Sequence, residues 1–310
     1  VLPDGSRNSY RIDRLKDKLG TRSMASGEVT LHDTYAQPIG DLTRGVQQML
    51  EMVNHSRISN VMRSSALMRR AVNESVAHTR QRVVSGRRLF DQPLMRRTLL
   101  AMILEAEASL GLLLEASAQL AAGDAGDERA HTVARVMTPM AKYTVCKRGR
   151  WVTGEAMEVR GGNGYIEDWI NPRLLRDSHL GSIWEGSSNV VALDVLRCMH
   201  KSEAHRALHA AYRDRGGDAG LAAHWDGLRD QGEEILTLDR DDQELHIGDY
   251  TEALCRAVQA ALLLDQARYE TGAGGGARKQ LVADAFLQTH LRPGTVPQEA
   301  VRDLELVAFG

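Results

Sequence analysis

Apolar residues change their rhythm along this chain, and the changes divide it. Before residue 40 the alternation Glu28-Val29-Thr30-Leu31-His32 is that of a strand with one covered face. A turn-rich run, Pro3-Asp4-Gly5-Ser6-Arg7-Asn8, precedes it. So little strand is marginal by itself, and the chain offers too few other strands to build a sheet, so a missing upstream partner is expected. From Leu42 the period becomes helical. Val46, Met49, Leu50, Val53, Ile58, Val61, Met62, Leu67 and Val72 trace one face of a long helix reaching about Val84, where Ser85 and Gly86 break it. A second helix is predicted over 92–122, with Leu94, Leu99, Leu100, Ile103, Leu110, Leu113 and Leu114 on its buried side. A third, over 127–159, carries Pro139 as a candidate bend and stops at Gly161, Gly162 and Gly164. A fourth spans about 187–200. Long amphipathic helices joined by short connections cover their stripes most simply as an antiparallel bundle.

Beyond His200 the predicted helices are shorter and are separated by Gly-rich breaks at 215–218 and 272–276. The clearest covers 250–269, with Leu254, Val258, Leu262 and Leu263 in helical register. The glycines of 272–276 lack a preceding strand and a following Lys-Ser/Thr, so they read as a loop and not as a phosphate cradle. No internal repeat is evident.

Composition agrees with a helical globular protein: 43% hydrophobic, 26% charged and only 5% aromatic residues. Apolar runs are interrupted well short of membrane-spanning length. The chain starts at Val1 without the features of a secretory leader, so a processed or truncated piece of a cytoplasmic protein is expected. Three widely spaced cysteines, Cys146, Cys198 and Cys255, argue against a disulfide framework, and no His or Cys pair has ligand spacing, so no metal is expected. The net charge of −2 is uneven. Residues 1–200 hold 27 Lys+Arg against 22 Asp+Glu, whereas residues 201–310 hold 12 against 19. The basic part suits an anionic ligand. The acidic part is a poor surface for duplex DNA, whose phosphates must be neutralised.

Four local features carry candidate chemistry. Glu185, followed by Gly186-Ser187-Ser188-Asn189 ahead of an apolar run, stands at a loop entering a helix. Helix grammar alone favours a cap by Ser187 or Ser188. A carboxylate kept partly from water beside Trp184 is also a setting for a general base. Gly161-Gly162-Asn163-Gly164-Tyr165 is either a simple helix stop or a place where backbone approaches a ligand. Arg82, at a helix end, can grip a pyrophosphate or stand in solvent with its arginine neighbours. Arg57, in mid-helix between Ser56 and Ser59, is indistinguishable alone from a surface arginine.

Taken in order, these segments resemble a known family. RLKDKLGTRSMASGEVTL (14–31), Arg57, RVVSGRRL (82–89), EVRGGNGYIED (158–168), LLRD (174–177) and IWEGSSNVVALDVLR (183–197) follow the pattern of the acyl-CoA dehydrogenases. The likeness runs from the end of the family's middle β-domain through its C-terminal four-helix domain, and the details are closest to the bacterial alkylation-response branch. The resemblance implies a mainly α protein in three parts: 1–40, the end of the β-domain; 41–200, the four-helix domain; and 201–310, a helical extension. It implies an FAD flavoprotein that dehydrogenates an acyl-CoA between Cα and Cβ. Glu185 matches the base, because the alternative position used by some relatives is Ser56 here. Arg82, Gln92, Glu158, Gly161, Gly162, Ser187 and Asn189 match cofactor positions, and Asn54, Arg57 and Gly186 match positions at the acyl-CoA.

FAD in that family is shared across a homodimer, usually paired into a homotetramer, with electron-transfer flavoprotein as an acceptor. Ser85 and Glu158 depart from the usual Phe and Gln, removing an aromatic wall and adding a negative charge. Two other roles follow from the same resemblance. One is a flavin-binding protein of the DNA-alkylation stress response with little dehydrogenase turnover. The other is a non-catalytic subunit of a split acyl-CoA dehydrogenase.

Overall fold

A computed structural model of the chain describes residues 1–292, 294 and 296–309. Its first elements, β1 (Tyr10–Leu15) and β2 (Gly27–Leu31), pair antiparallel with Tyr10 opposite Leu31. Ile12, Leu15, Val29 and Leu31 remain exposed on this ribbon, as expected of strands without a sheet to cover them. A tie to the helical body comes from Thr21, whose backbone N–H donates to Asp177 Oδ1 at 2.6 Å.

The long helices appear where the apolar periodicity put them, but the stripes are narrower than expected. Val46, Met49, Leu50 and Met62 of the first and Leu94, Leu110 and Leu114 of the second are exposed, so the buried side is carried by residues such as Val61, Val72, Leu99, Leu100, Ile103 and Leu113. α1 (Gly45–Gln81) leads into a small hairpin, β3 (Val83–Val84) with β4 (Arg87–Arg88), whose turn residues Ser85 and Gly86 have φ of 54° and 74°. Paired left-handed residues are what a two-residue hairpin turn requires. α2 (Pro93–Asp124) opens on a proline in its first turn, where no N–H is needed. α3 (Glu128–Arg160) is capped by Asp127, whose carboxylate accepts from the Ala130 N–H at 2.9 Å, and it continues through Pro139. Then come α4 (Asn171–Gly181) and α5 (Ser188–Ser202).

Cross-contacts give the directions. His55 faces Asp124 and Arg69 faces Glu107, so α1 and α2 are antiparallel. Ser64 meets Cys146 and Glu74 meets Arg160, so α1 and α3 are parallel. Lys142 reaches Gly186 while Arg135 reaches Asp194, so α5 runs back along α3. The bundle is therefore up-down-up-down, with α5 much the shortest of its four helices at 15 residues.

The remainder is α6 (Ala204–Tyr212), α7 (Ala219–Thr237), α8 (Arg240–Gly272), α9 (Arg278–His290), α10 (Gln298–Arg302) and α11 (Leu304–Phe309). The expectation of uniformly shorter helices is corrected here, since α8 is 33 residues long, equal to α3. Its first two turns carry Asp241, Asp242, Glu244 and His246 on a mostly exposed surface, so no apolar stripe announces them. The Asp239 cap, accepting from the Asp242 N–H at 3.0 Å, sets the start instead. Further along, Leu254, Val258, Ala261 and Leu262 join the same continuous core as the bundle. Arg256 of α8 also makes a two-pronged pair with Glu105 of α2, both contacts at 2.9 Å, with the two side chains 6% and 1% exposed. The extension is thus packed onto its own bundle. Among the described residues no helix is long and apolar enough to cross a membrane.

Candidate active site

Between α4 and α5 the chain makes a turn in which Glu185 has φ 59° and Gly186 φ 101°. A left-handed non-glycine residue costs about 1–2 kcal/mol, so such a turn persists only if its surroundings hold it. Both of its carbonyls are held. Arg57 Nε of α1 donates to the Glu185 carbonyl at 3.3 Å, and Lys142 Nζ of α3 donates to the Gly186 carbonyl. Gly186 is needed for packing as well, because a Cβ there would lie 3.3 Å from Val191 and 3.4 Å from Val190 side-chain atoms.

Beneath the turn lies a charge cluster. Arg57 NH1 is 2.5 Å from Asp194 Oδ2, Arg135 NH2 is 2.8 Å from Asp194 Oδ1, and Arg197 NH1 is 2.9 Å from the same oxygen. Burial works to raise the Asp194 carboxyl, but the bonds from Arg135 and Arg57 outweigh it and hold the group at about 2. Lys142 is 1% exposed. Burial pulls its ammonium below the ordinary lysine value, with the Arg57 charge adding to the effect and Cys146 and Glu185 opposing it.

Glu185 itself is half-buried, as are Gly186 and Asn54, which stands one helical turn before Arg57. Arg57 is not the surface arginine that sequence reading left open; it is buried and engaged with the turn. Ser187 takes the N-cap position of α5, yet its hydroxyl makes no capping bond, and Ser187 and Asn189 are exposed. Ile183 and Trp184 wall a cavity of about 450 Å³ together with Leu180, His179 and Arg176 of α4 and Lys16, Lys18 and Leu19 of the hairpin. That size falls within the range of small-molecule sites, which run from about 300 to 1,000 Å³. Arg63 covers the Trp184 ring at 5.7 Å.

The other candidate residues gather at the far end of the bundle. Arg82 ends α1, exposed and with no carboxylate partner among the described residues. Gly161, at φ 69°, ends α3 beside it, and a Cβ at Gly161 or Gly162 would meet open space. Gly164 is different: a Cβ there would fall 2.1 Å from the Met157 carbonyl oxygen, so only glycine fits. Gln92 stands at the N-cap position of α2 without a side-chain capping bond and donates to the Val84 carbonyl at 3.4 Å, while Glu158 is exposed on the last turn of α3. His78 sits at this end below its ordinary value, first through burial and then through Arg160 and Arg82, a sign of surplus positive charge. At 1.5 Å per residue, Arg82 lies roughly 37 Å along α1 from Arg57. One chain therefore presents two separate groups of candidate residues.

Sequence reading missed Lys142, Arg135 and Asp194. Two faint signals were present: a lone lysine inside the buried run from Met137 to Cys146, and a lone acid inside Val190-Val191-Ala192-Leu193-Asp194-Val195-Leu196. Either one marks a charge with a partner elsewhere, but not which partner.

Comparison with known proteins agrees with this architecture. The family model described as "Acyl-CoA dehydrogenase, C-terminal domain" matches residues 43–200. The putative acyl-CoA dehydrogenase AidB of Escherichia coli (strain K12) is 44% identical over 204 residues, covering 64% of this chain and 37% of that protein. The structure of Caenorhabditis elegans ACDH-11 in complex with C11-CoA superposes with a TM-score of 0.84 at 28% identity, covering 99% of this chain and 55% of that one. The FAD complex of a Bacillus anthracis acyl-CoA dehydrogenase shares the fold, with a TM-score of 0.75 at 17% identity over 97% of this chain and 56% of that one. The chain thus spans about half the length of these solved relatives, and the match covers little more than a third of the curated one.

Proposed function

The chain belongs to the acyl-CoA dehydrogenase family, and from that premise we propose that its protein dehydrogenates an acyl-CoA thioester between Cα and Cβ, with Glu185 as the general base. The observation that carries this reading is the Glu185–Gly186 turn. It keeps a left-handed backbone at the carboxylate while buried cations of α1 and α3 hold the turn's two carbonyls. Strain maintained by dedicated partners is what a functional position requires, and a loop alone does not. Glu185 takes the α-proton, and the half-buried setting limits competition from water. Asn54, one helical turn before Arg57, and Gly186, next to Glu185, would help seat the thioester, and Arg57 acts here through the turn it holds.

FAD fits the residues present. Ser187 has an uncommitted hydroxyl beside exposed Asn189, and the Arg82 end combines surplus positive charge with an open Gly161-Gly162 edge near Gln92. When bound, FAD supplies the acceptor for the β-hydrogen, which leaves as hydride. Glu158 places one negative charge at that end, which the unpartnered Arg82 offsets. The two groups stand roughly 37 Å apart along α1, and the resemblance to the family implies that the Arg82 group serves the flavin of a second copy in a homodimer or homotetramer.

The test is to load the purified protein with FAD and titrate acyl-CoAs of increasing chain length. Bleaching of the flavin bands is expected. Glu185→Gln should lower the bleaching rate by about 10³-fold with acyl-CoA binding retained, since a general base contributes about 10²–10⁴. A flavin that no acyl-CoA bleaches, with Glu185→Gln indistinguishable from the parent, would overturn the proposal.

A further inference from the structure

Lys142 holds an uncommon position. It lies in the middle of α3, 1% exposed, among buried Met140, Ala141, Tyr143 and Val145. A buried ammonium normally meets a carboxylate, because leaving a charge unpartnered in the interior is costly. Among the described residues Lys142 has no carboxylate within salt-bridge distance, and its hydrogen bond goes to the backbone carbonyl of Gly186. Arg57, its neighbour in the cluster, has Asp194. The two cations therefore divide the turn. Arg57 holds the Glu185 carbonyl from α1, and Lys142 holds the Gly186 carbonyl from α3.

Consecutive peptide planes clamped from two helices leave the intervening Cα–C geometry little freedom, and both residues concerned have left-handed φ. A plain structural tie between α3 and the start of α5 would need neither a charge nor a carbonyl in the strained turn. α3 and α5 are already joined by the Arg135–Asp194 pair and by the Cys198 thiol donating to the Arg135 carbonyl.

We infer that Lys142 is a positioning residue for Glu185: its buried ammonium fixes the Gly186 peptide and thereby the direction in which the carboxylate is presented. The inference rests on Glu185 as the reacting base. Lys142 makes no contact with the reacting atoms; it acts through the backbone. Losing it frees the turn to relax, and misplacement of a reacting group by about 1 Å costs up to about 10²-fold in rate.

The test compares Lys142→Met, which keeps length and loses both charge and donor, with Lys142→Gln, which keeps an N–H donor. Each is measured as the FAD-loaded protein for kcat and KM with an acyl-CoA, and separately for amide hydrogen exchange at 183–188 and along α2. Lys142→Met should lose about 10–100-fold in kcat with KM within about threefold. Exchange at 183–188 should quicken at least about tenfold while α2 stays protected, and Lys142→Gln should fall between Met and the parent. Should Lys142→Met not fold, Lys142→Gln against the parent carries the same comparison. Unchanged kcat and exchange, a loss confined to KM, or exchange quickened equally along α2 would each overturn the inference. An inactive parent protein instead sinks the dehydrogenase reading, and the exchange data still report whether Lys142 holds the turn.

Discussion

Asp194, under the Glu185 turn, and Glu105, on the seam between α2 and α8, are both carboxylates removed from water and met by arginines. At Glu105 the bonds close on themselves. Arg256 gives NH1 and NH2 to the two carboxylate oxygens, Arg148 adds a contact at 3.0 Å, and His290 stands 3.5 Å away. At Asp194 the cluster stays open. Arg57 gives one nitrogen to the acid and keeps Nε for the Glu185 carbonyl, while Lys142 adds a further cation that no carboxylate claims among the described residues. The same chemistry serves two ends. A closed cluster fastens one helix to another, whereas an open one lends its remaining donors to a third element.

If that distinction holds, damage to the two clusters should look different. The largest effect is expected from Glu105→Ala, which takes the buried carboxylate from Arg148 and Arg256 and leaves Arg256 only the half-exposed Glu252 at 3.5 Å. Removal of one partner of a buried pair costs about 3–5 kcal/mol, to be read from denaturant unfolding, while exchange at 183–188 stays as in the parent until global unfolding. A loss below about 1 kcal/mol, or loosening of the Glu185 turn, would erase the difference between the clusters.

Acid should separate them next. Burial first, then the Arg256 charge, holds His290 at about 4 in the folded chain. The unfolded chain therefore binds that proton first, and stability falls as pH drops from about 6.5 toward 4. Asp194 and Glu107 are held at about 2, against burial, by their cationic partners. Their contribution is complete above the ordinary carboxylate range and is lost only as pH falls from about 4 toward 2. The seam thus weakens before the turn's support does. His290→Gln should recover about 2 kcal/mol of the stability lost by pH 5, measured as unfolding free energy against pH. No recovery would place the early acid loss on other histidines.

The smallest effect belongs to the hairpin. Arg14 meets Glu28 through two contacts at 2.9 and 2.8 Å, but both side chains are well exposed. Arg14→Ala should leave the thermal midpoint unchanged. A measurable drop would mean that the ribbon is coupled to the helical body beyond its tie at Asp177.

Legibility in the sequence followed the same division between apolar patterning and charge. α1, α2, α3 and α5 could be read within a few residues because each buries a stripe that repeats with the helix. α4 went unread. It is only 11 residues long, opens on Asn171-Pro172 and carries Arg173, Arg176 and Asp177, leaving little periodic apolar signal. α8 was read from its apolar half, and its polar start was lost. For the site, the motif order led to Glu185 and Arg57, but not to the fact that Arg57 faces inward. Nor could spacing relate Lys142 to Gly186, 44 positions apart, or Asp194 to Arg57, 137 apart, since only the packing of α1, α3 and α5 brings them together.

The left-handed φ of Glu185 also sets a limit on improvement. Glycine would sit at position 185 with less strain, by roughly 1 kcal/mol, and would delete the carboxylate in the same change. With Glu185 as the proposed base, selection for a more robust protein and selection for turnover would pull this position in opposite directions, a stability–activity trade-off set at one Cα.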